Sequence, residues 1–307
     1  MFEDFVLKEL DVAGIRIRVR HGGSGPAVVL LHGHPRTHTT WYAVAPRLAD
    51  AGFTVVCPDL RGYGGSVKPV TDADHTPYSK RAMAADVVGL MDLLGHQRFA
   101  VVGHDRGSYV AYRTALDHPD RVAKLVVMDG VPVVEALERC GSEFAAAWWH
   151  WWFFAQSAKP AERVICADPE TWYEAWTKNS PRALGPENHA DFLAAIRNPA
   201  TVHAMLEDYR AGIGIDRRND EADRAAGRRI ECPTLALWST DDDLERLYGD
   251  PVEVWRSWCR QVEGHGIKSG HHMAEQAPEE LANSLSAFLE ASCRVGRGTP
   301  GGRGDRG

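Results

Sequence analysis

Short apolar runs recur along the chain, separated by stretches with helical spacing: "IRIRVR" (15–20), "AVVLL" (27–31), "TVVCP" (54–58), "FAVVG" (99–103), "KLVVMDG" (124–130) and "TLALW" (234–238). Several are apolar throughout, as strands covered on both faces tend to be. Residues 81–94, 107–118 and 275–291 carry the amphipathic spacing of helices. Strand and helix in alternation predict an α/β fold with a mostly parallel central sheet. From about residue 134 to 225 the strand pattern gives way to Trp, Ala and charged residues at helical spacing, and it returns at 232–238. A helical cap inserted over the carboxyl edge of the sheet is the economical reading. The expected division is therefore core 1–133, cap 134–225, core 226–291 and a tail, 292–307, whose Gly and Arg bias predicts disorder. The Arg303-Gly304-Asp305 tripeptide in that tail is read as a product of its composition.

Composition narrows the partners. A chain of 307 residues can bury one large core, and its net charge of -7, with both signs dispersed, offers no nucleic-acid footprint and no polybasic membrane anchor. The expected partner is a small-molecule substrate, with no nucleic acid, no membrane, no cofactor and no metal; a homodimer is compatible with the composition. "MFEDFVLKELDVAG" has neither a basic n-region nor an apolar h-region, so a cytoplasmic protein is expected. Six scattered cysteines without a CxxC pair read as reduced thiols.

The chemistry concentrates at "GHDRG" (103–107), directly after a strand and before a helix. It fits the G-x-nucleophile-x-G elbow, where small residues let the chain turn sharply and raise the central side chain above the sheet. Asp105 at its centre is either that nucleophile or an N-cap of the next helix. "LLHGHP" (30–35) follows a strand where a hydrolase keeps the loop that supplies an oxyanion donor, so the main-chain N–H groups of His34 and Arg106 are the candidate donors. Asp129 ends one strand and His271 comes late, giving nucleophile, acid and base in the order such hydrolases use. Two alternatives stand beside these. Asp242, in "LWSTDDD" (237–243), also follows a strand where an acid is often kept, and His272 adjoins His271.

With "PDLRGYGGS" (58–66), "HTPYSKRAMA" (75–84), "HWWFFAQ" (150–156), "EDYRAG" (207–212) and "SGHH" (269–272), the chain resembles the α/β-hydrolases of the fluoroacetate/haloacetate dehalogenase type from about residue 10 to 290. The resemblance implies an α/β-hydrolase fold and hydrolytic cleavage of the carbon–halogen bond of short 2-haloacids, through an ester on Asp105. It implies that Arg106 holds the substrate carboxylate, that His150, Trp151 and Tyr209 bind the departing halide, and that Asp129 is the triad acid. Two positions depart from the pattern. Tyr109 stands where members of the family commonly carry a second carboxylate-binding Arg, and His34 stands where an aromatic such as Phe is usual. Arg36 is the remaining basic residue available to compensate.

Three other readings of the same residues compete. Trp148, Trp149 and Trp152 fall at i+3 or i+4 spacings and are expected to pack rather than bind. An epoxide hydrolase shares the Asp nucleophile and needs an acid for the epoxide oxygen, for which Tyr209 with Tyr173 or Tyr109 would serve. A catalytically silent binding protein of the same fold is the third, and a full Asp-Asp-His set speaks against it.

Overall fold

The computed structural model describes residues 2–177 and 181–291. Eight strands form a single sheet: β1 (Val6–Val12), β2 (Ile15–Gly23), β3 (Ala27–Leu31), β4 (Thr54–Pro58), β5 (Phe99–His104), β6 (Val122–Met128), β7 (Thr234–Ser239) and β8 (Val262–Ile267). Their spatial order is β1-β2-β4-β3-β5-β6-β7-β8, with β2 antiparallel to both neighbours and every later pair parallel.

The continuous apolar runs are explained by what covers them. Val29, Leu31 and Val101 point into one buried cluster, while Val28, Leu30 and Val102 point into another on the opposite face. A strand with helices on both sides has no solvent face, so alternation is lost. The two strands that the sequence pattern does not announce, β1 and β8, lie at the edges of the sheet. β1 is mostly exposed, and β8 reads "VEGHGI", with neither an apolar run nor clean alternation.

Among the described residues, nine helical segments and a π-helical turn (Gly212–Asp216) lie between β6 and β7, from Val133–Glu138 to Arg217–Ala225, where the helical insertion is expected. Trp151, Phe154, Met205 and Tyr209 from this cap join the same cluster as Val127 and Tyr109 of the core, so no polar seam divides cap from sheet there. The expected tail, 292–307, and Cys293 with it, lies outside the described residues. The other five cysteines are free thiols, two of them buried. No described helix is long and apolar enough to cross a membrane.

Parallel register gathers the chemistry at one edge. Leu31 pairs with Gly103, His104 with Met128, and Met128 with Leu237, so β3, β5, β6 and β7 all end together. The loops leaving those ends, with that after β8, carry His34, Asp105, Asp129, Asp242 and His271.

Candidate active site

Asp105 occupies a sharp turn at φ 49°, ψ -118°, between β5 and the helix Arg106–Asp117. A non-glycine residue held there stores strain that the surroundings must support. They do so by close approach: a β-carbon on Gly103 would collide with the Gly107 carbonyl oxygen, and one on Gly107 with the carbonyls of Leu31 and His32. The Asp105 side chain makes no capping bond to its helix. Its Oδ2 instead accepts the main-chain N–H of His34 at 2.7 Å. The capping alternative is thereby set aside, and the loop after β3 stands where an oxyanion donor is needed.

The three histidines of that loop have separate tasks. His32 Nε2 accepts the N–H of Leu60 at 3.0 Å, which leaves Nδ1 to donate to the Gly33 carbonyl. His38 Nδ1 meets Asp59 at 2.8 Å. The His34 ring lies against Tyr209, Phe154 and Tyr173, and burial pushes its pKa down to about 3, so it is neutral.

His271 departs from expectation in its partner. Its Nδ1 is 2.8 Å from Asp242 Oδ2 and 3.8 Å from Asp129 Oδ2. Asp129 is occupied elsewhere, accepting the Ser239 N–H at 2.7 Å and the Ser239 hydroxyl at 2.6 Å. The carboxylate bonded to His271 is therefore Asp242 and not the expected Asp129, which stands as a second carboxylate close behind. Burial alone would lower the His271 pKa, but the bond to Asp242 and the charges of Asp242, Asp105 and Asp129 outweigh it and raise it to about 10. His272 also faces the cavity, yet burial drives its proton affinity far down and its Nδ1 has no hydrogen-bond partner. Of these two histidines, His271 is the one bonded to a carboxylate.

A cavity of about 400 Å³ opens above Asp105, and Tyr109, His150, Trp151, Tyr209 and His271 all line it. The His150 and Trp151 rings stand edge-on to Tyr209, at 5.7 and 6.0 Å between centroids. Burial, with Asp105 next, raises the Tyr209 phenol far above its usual range; burial also lowers His150 well below its own. Both are therefore neutral N–H or O–H donors. Trp148 stacks on Trp151 and donates to Asp243 at 2.9 Å, whereas Trp149 and Trp152 are more than a third exposed and do not fill the core as expected.

Arg106 is the second departure. Its side chain is fully buried; Nε bonds Asp208 Oδ2 at 3.0 Å and Nη2 reaches the Asp208 carbonyl at 2.9 Å. Asp208 is also held by Lys80 and by the Tyr63 hydroxyl. The guanidinium packs on the rings of Tyr209, Tyr109 and Trp151 and is not among the groups lining the cavity. Its bidentate fork, expected to hold a substrate carboxylate, is already used; only Nη1 lacks a partner. Arg36 does not compensate, since Nε and Nη2 grip both oxygens of Glu275 at 2.8 and 2.9 Å. Asp208 is the residue that sequence reasoning missed. Its one signal was its place beside Tyr209 in "EDYRAG".

Comparison with known proteins places the chain in a family. Residues 26–275 match the family model described as the alpha/beta hydrolase fold. The chain is 42% identical to a fluoroacetate dehalogenase of Burkholderia sp, over 94% of this chain and 95% of that one. It is 30% identical to a soluble epoxide hydrolase of Corynebacterium sp. (strain C12), over 91% and 95% respectively. A crystal structure of a candidate α/β hydrolase from Nostoc sp PCC 7120 superposes with a TM-score of 0.90 at 41% identity, covering 94% of this chain and 99% of that one.

Proposed function

The chain belongs to the α/β-hydrolase fold family, as a member of the dehalogenase type, and from that premise we propose that it hydrolyses a carbon–halogen bond beside a carbonyl group through an ester on Asp105. Short 2-haloacids, fluoroacetate and chloroacetate among them, are the reference substrates for this reading. The observation that carries it is a single cavity with the strained Asp105 and carboxylate-oriented His271 on one wall and the His150, Trp151 and Tyr209 cluster on another.

With Oδ2 tied to the His34 N–H, Oδ1 is the oxygen left to attack. It forms a bond to the halogen-bearing carbon while the halide leaves with the bonding pair. His150, Trp151 and Tyr209 donate to that halide; a hydrogen bond involving a charge contributes about 1.5–3 kcal/mol, and fluoride, the most strongly hydrated halide, needs several. Esterification removes the Asp105 charge, one of those that hold the proton on His271. The imidazolium then releases its proton to solvent, and the neutral imidazole can take a proton from water. Water attacks the ester carbonyl carbon, and the oxyanion forms on Oδ2, already facing the His34 N–H. Collapse expels the alkoxide, which takes the proton back from His271. One oxygen of water stays on Asp105.

The epoxide-hydrolase reading has its own support, because Tyr109 and Tyr209 both line the cavity and would supply the acid that an epoxide requires. Screening fluoroacetate, chloroacetate and an epoxide of the styrene oxide type, with Asp105→Asn as the control, separates the two. Halide release that depends on Asp105 is expected. Diol formation from the epoxide without halide release from the others moves the assignment. Single turnover in labelled water is expected to put the label first in Asp105; label that goes straight to product rules out the ester.

A further inference from the structure

The cavity has an unbalanced charge inventory. Asp105, Asp129, Asp242 and Asp243 line it, and among the described residues neither Arg nor Lys does. Burial keeps the His34, His150 and His272 rings neutral, so among the described lining residues His271, bonded to Asp242, is the cation on the wall. The guanidiniums of Arg106 and Arg36 grip Asp208 and Glu275 through Nε and Nη2, leaving only Nη1 of each without a partner. Arg106 also packs against Tyr109, whose ring, one helical turn past the nucleophile, lines the wall. A free carboxylate entering here would meet more negative charge than positive, without a fork to receive it. An uncharged group loses nothing. The volume, about 400 Å³, and the aromatic wall of Tyr109, Trp148 and Trp151 suit a bulkier neutral substituent.

Building on the dehalogenase reading, we propose that the preferred substrates are uncharged 2-haloacyl compounds, amides or esters of 2-haloacids, rather than the free acids. The reaction is balanced as above: chloroacetamide and water give glycolamide, chloride and a proton, with the carbon–chlorine bond broken and the new carbon–oxygen bond made by Asp105 Oδ1.

The experiment compares steady-state chloride release from chloroacetamide and chloroacetate, with the Asp105→Asn rate subtracted to remove alkylation of thiols. For the wild-type chain kcat/KM is expected to favour the amide by about tenfold or more, and added salt is expected to raise the chloroacetate value while leaving the amide unchanged. Tyr109→Arg introduces a cation and is expected to move the ratio towards the acid. Since that substitution crowds a buried site beside Arg106, Asp243→Asn is the second variant; it removes one wall charge, retains an acceptor for Trp148 and is expected to move the ratio the same way. Chloroacetate used as well as the amide, or a preference that ignores both salt and Asp243→Asn, overturns the inference while leaving the dehalogenase in place. No Asp105-dependent halide from either compound overturns both.

Discussion

His271 sits between two carboxylates, and its choice between them is a matter of one ångström: 2.8 Å to Asp242 and 3.8 Å to Asp129. Asp129 has its negative charge met by the main chain and hydroxyl of Ser239, so it acts on the imidazole through space; Asp242 fixes the tautomer by a direct bond. Asp242→Asn is therefore expected to slow ester hydrolysis by about 10³- to 10⁴-fold, the scale seen when a catalytic His loses the acid that orients it. Asp129→Asn, which can still accept from Ser239, is expected to leave that step within about tenfold of wild type. The sign of the pH effect follows from the charges. The free site holds the His271 proton up to about 10; the ester has lost the Asp105 charge and holds it less tightly, but the base must still lose that proton to act, so hydrolysis rises with pH along a limb below that value. Removing the Asp242 charge lowers that affinity and shifts the limb to lower pH. Single-turnover hydrolysis of the ester across pH checks both, and an unshifted limb would return the role to Asp129.

At the scale of elements, the elbow depends on contacts between backbones rather than between side chains. Gly107, the second residue of the helix Arg106–Asp117, lies directly over the Leu31 and His32 carbonyls, so Gly107→Ala must push β3 away from the helix or the helix from β5. A loss of about 1–3 kcal/mol or more is expected, read as a lower urea midpoint at unchanged slope, together with a loss of activity as Asp105 moves. This element was legible in the sequence because it is local: five consecutive residues specify the turn. The parallel strands were legible for a related reason, since burial on both faces leaves an apolar run that needs no partner to be recognised. Edge strands β1 and β8 left no such trace. Their existence depends on pairing with β2 and β7, and their own side chains are half in water. Asp129 fell outside β6, against a predicted strand of 124–130, because it turns to φ 47° as the chain leaves the sheet.

For the whole molecule, the cap is held to the core by charge as well as by apolar packing. Arg18 on β2 joins Asp59 at 2.5 Å and both oxygens of cap residue Asp191 at 2.8 Å; Lys80 and Tyr63 reach Asp208, and Arg113 reaches Asp220. Arg18→Met leaves Asp191 without its fork at a partly exposed position, where about 1–3 kcal/mol is at stake. Faster proteolysis within 134–225, with a smaller change in global thermal unfolding, is expected; equal changes in both would mean that cap and core open as one unit.

What the chain determines by itself is what neighbours in sequence can enforce: the alternation that makes a mostly parallel sheet, the interruption that makes a cap, and the elbow that raises Asp105. The order of the remaining groups narrowed the base to two adjacent histidines and the acid to Asp129 or Asp242. Competition for partners was decided only in three dimensions. Whether Arg106 faces a substrate or Asp208, 102 residues away, depends on which carboxylate the cap brings within reach, and a buried guanidinium takes the partner that relieves its desolvation. The same holds for His271, with Asp242 and Asp129 arriving from different strands at nearly the same point.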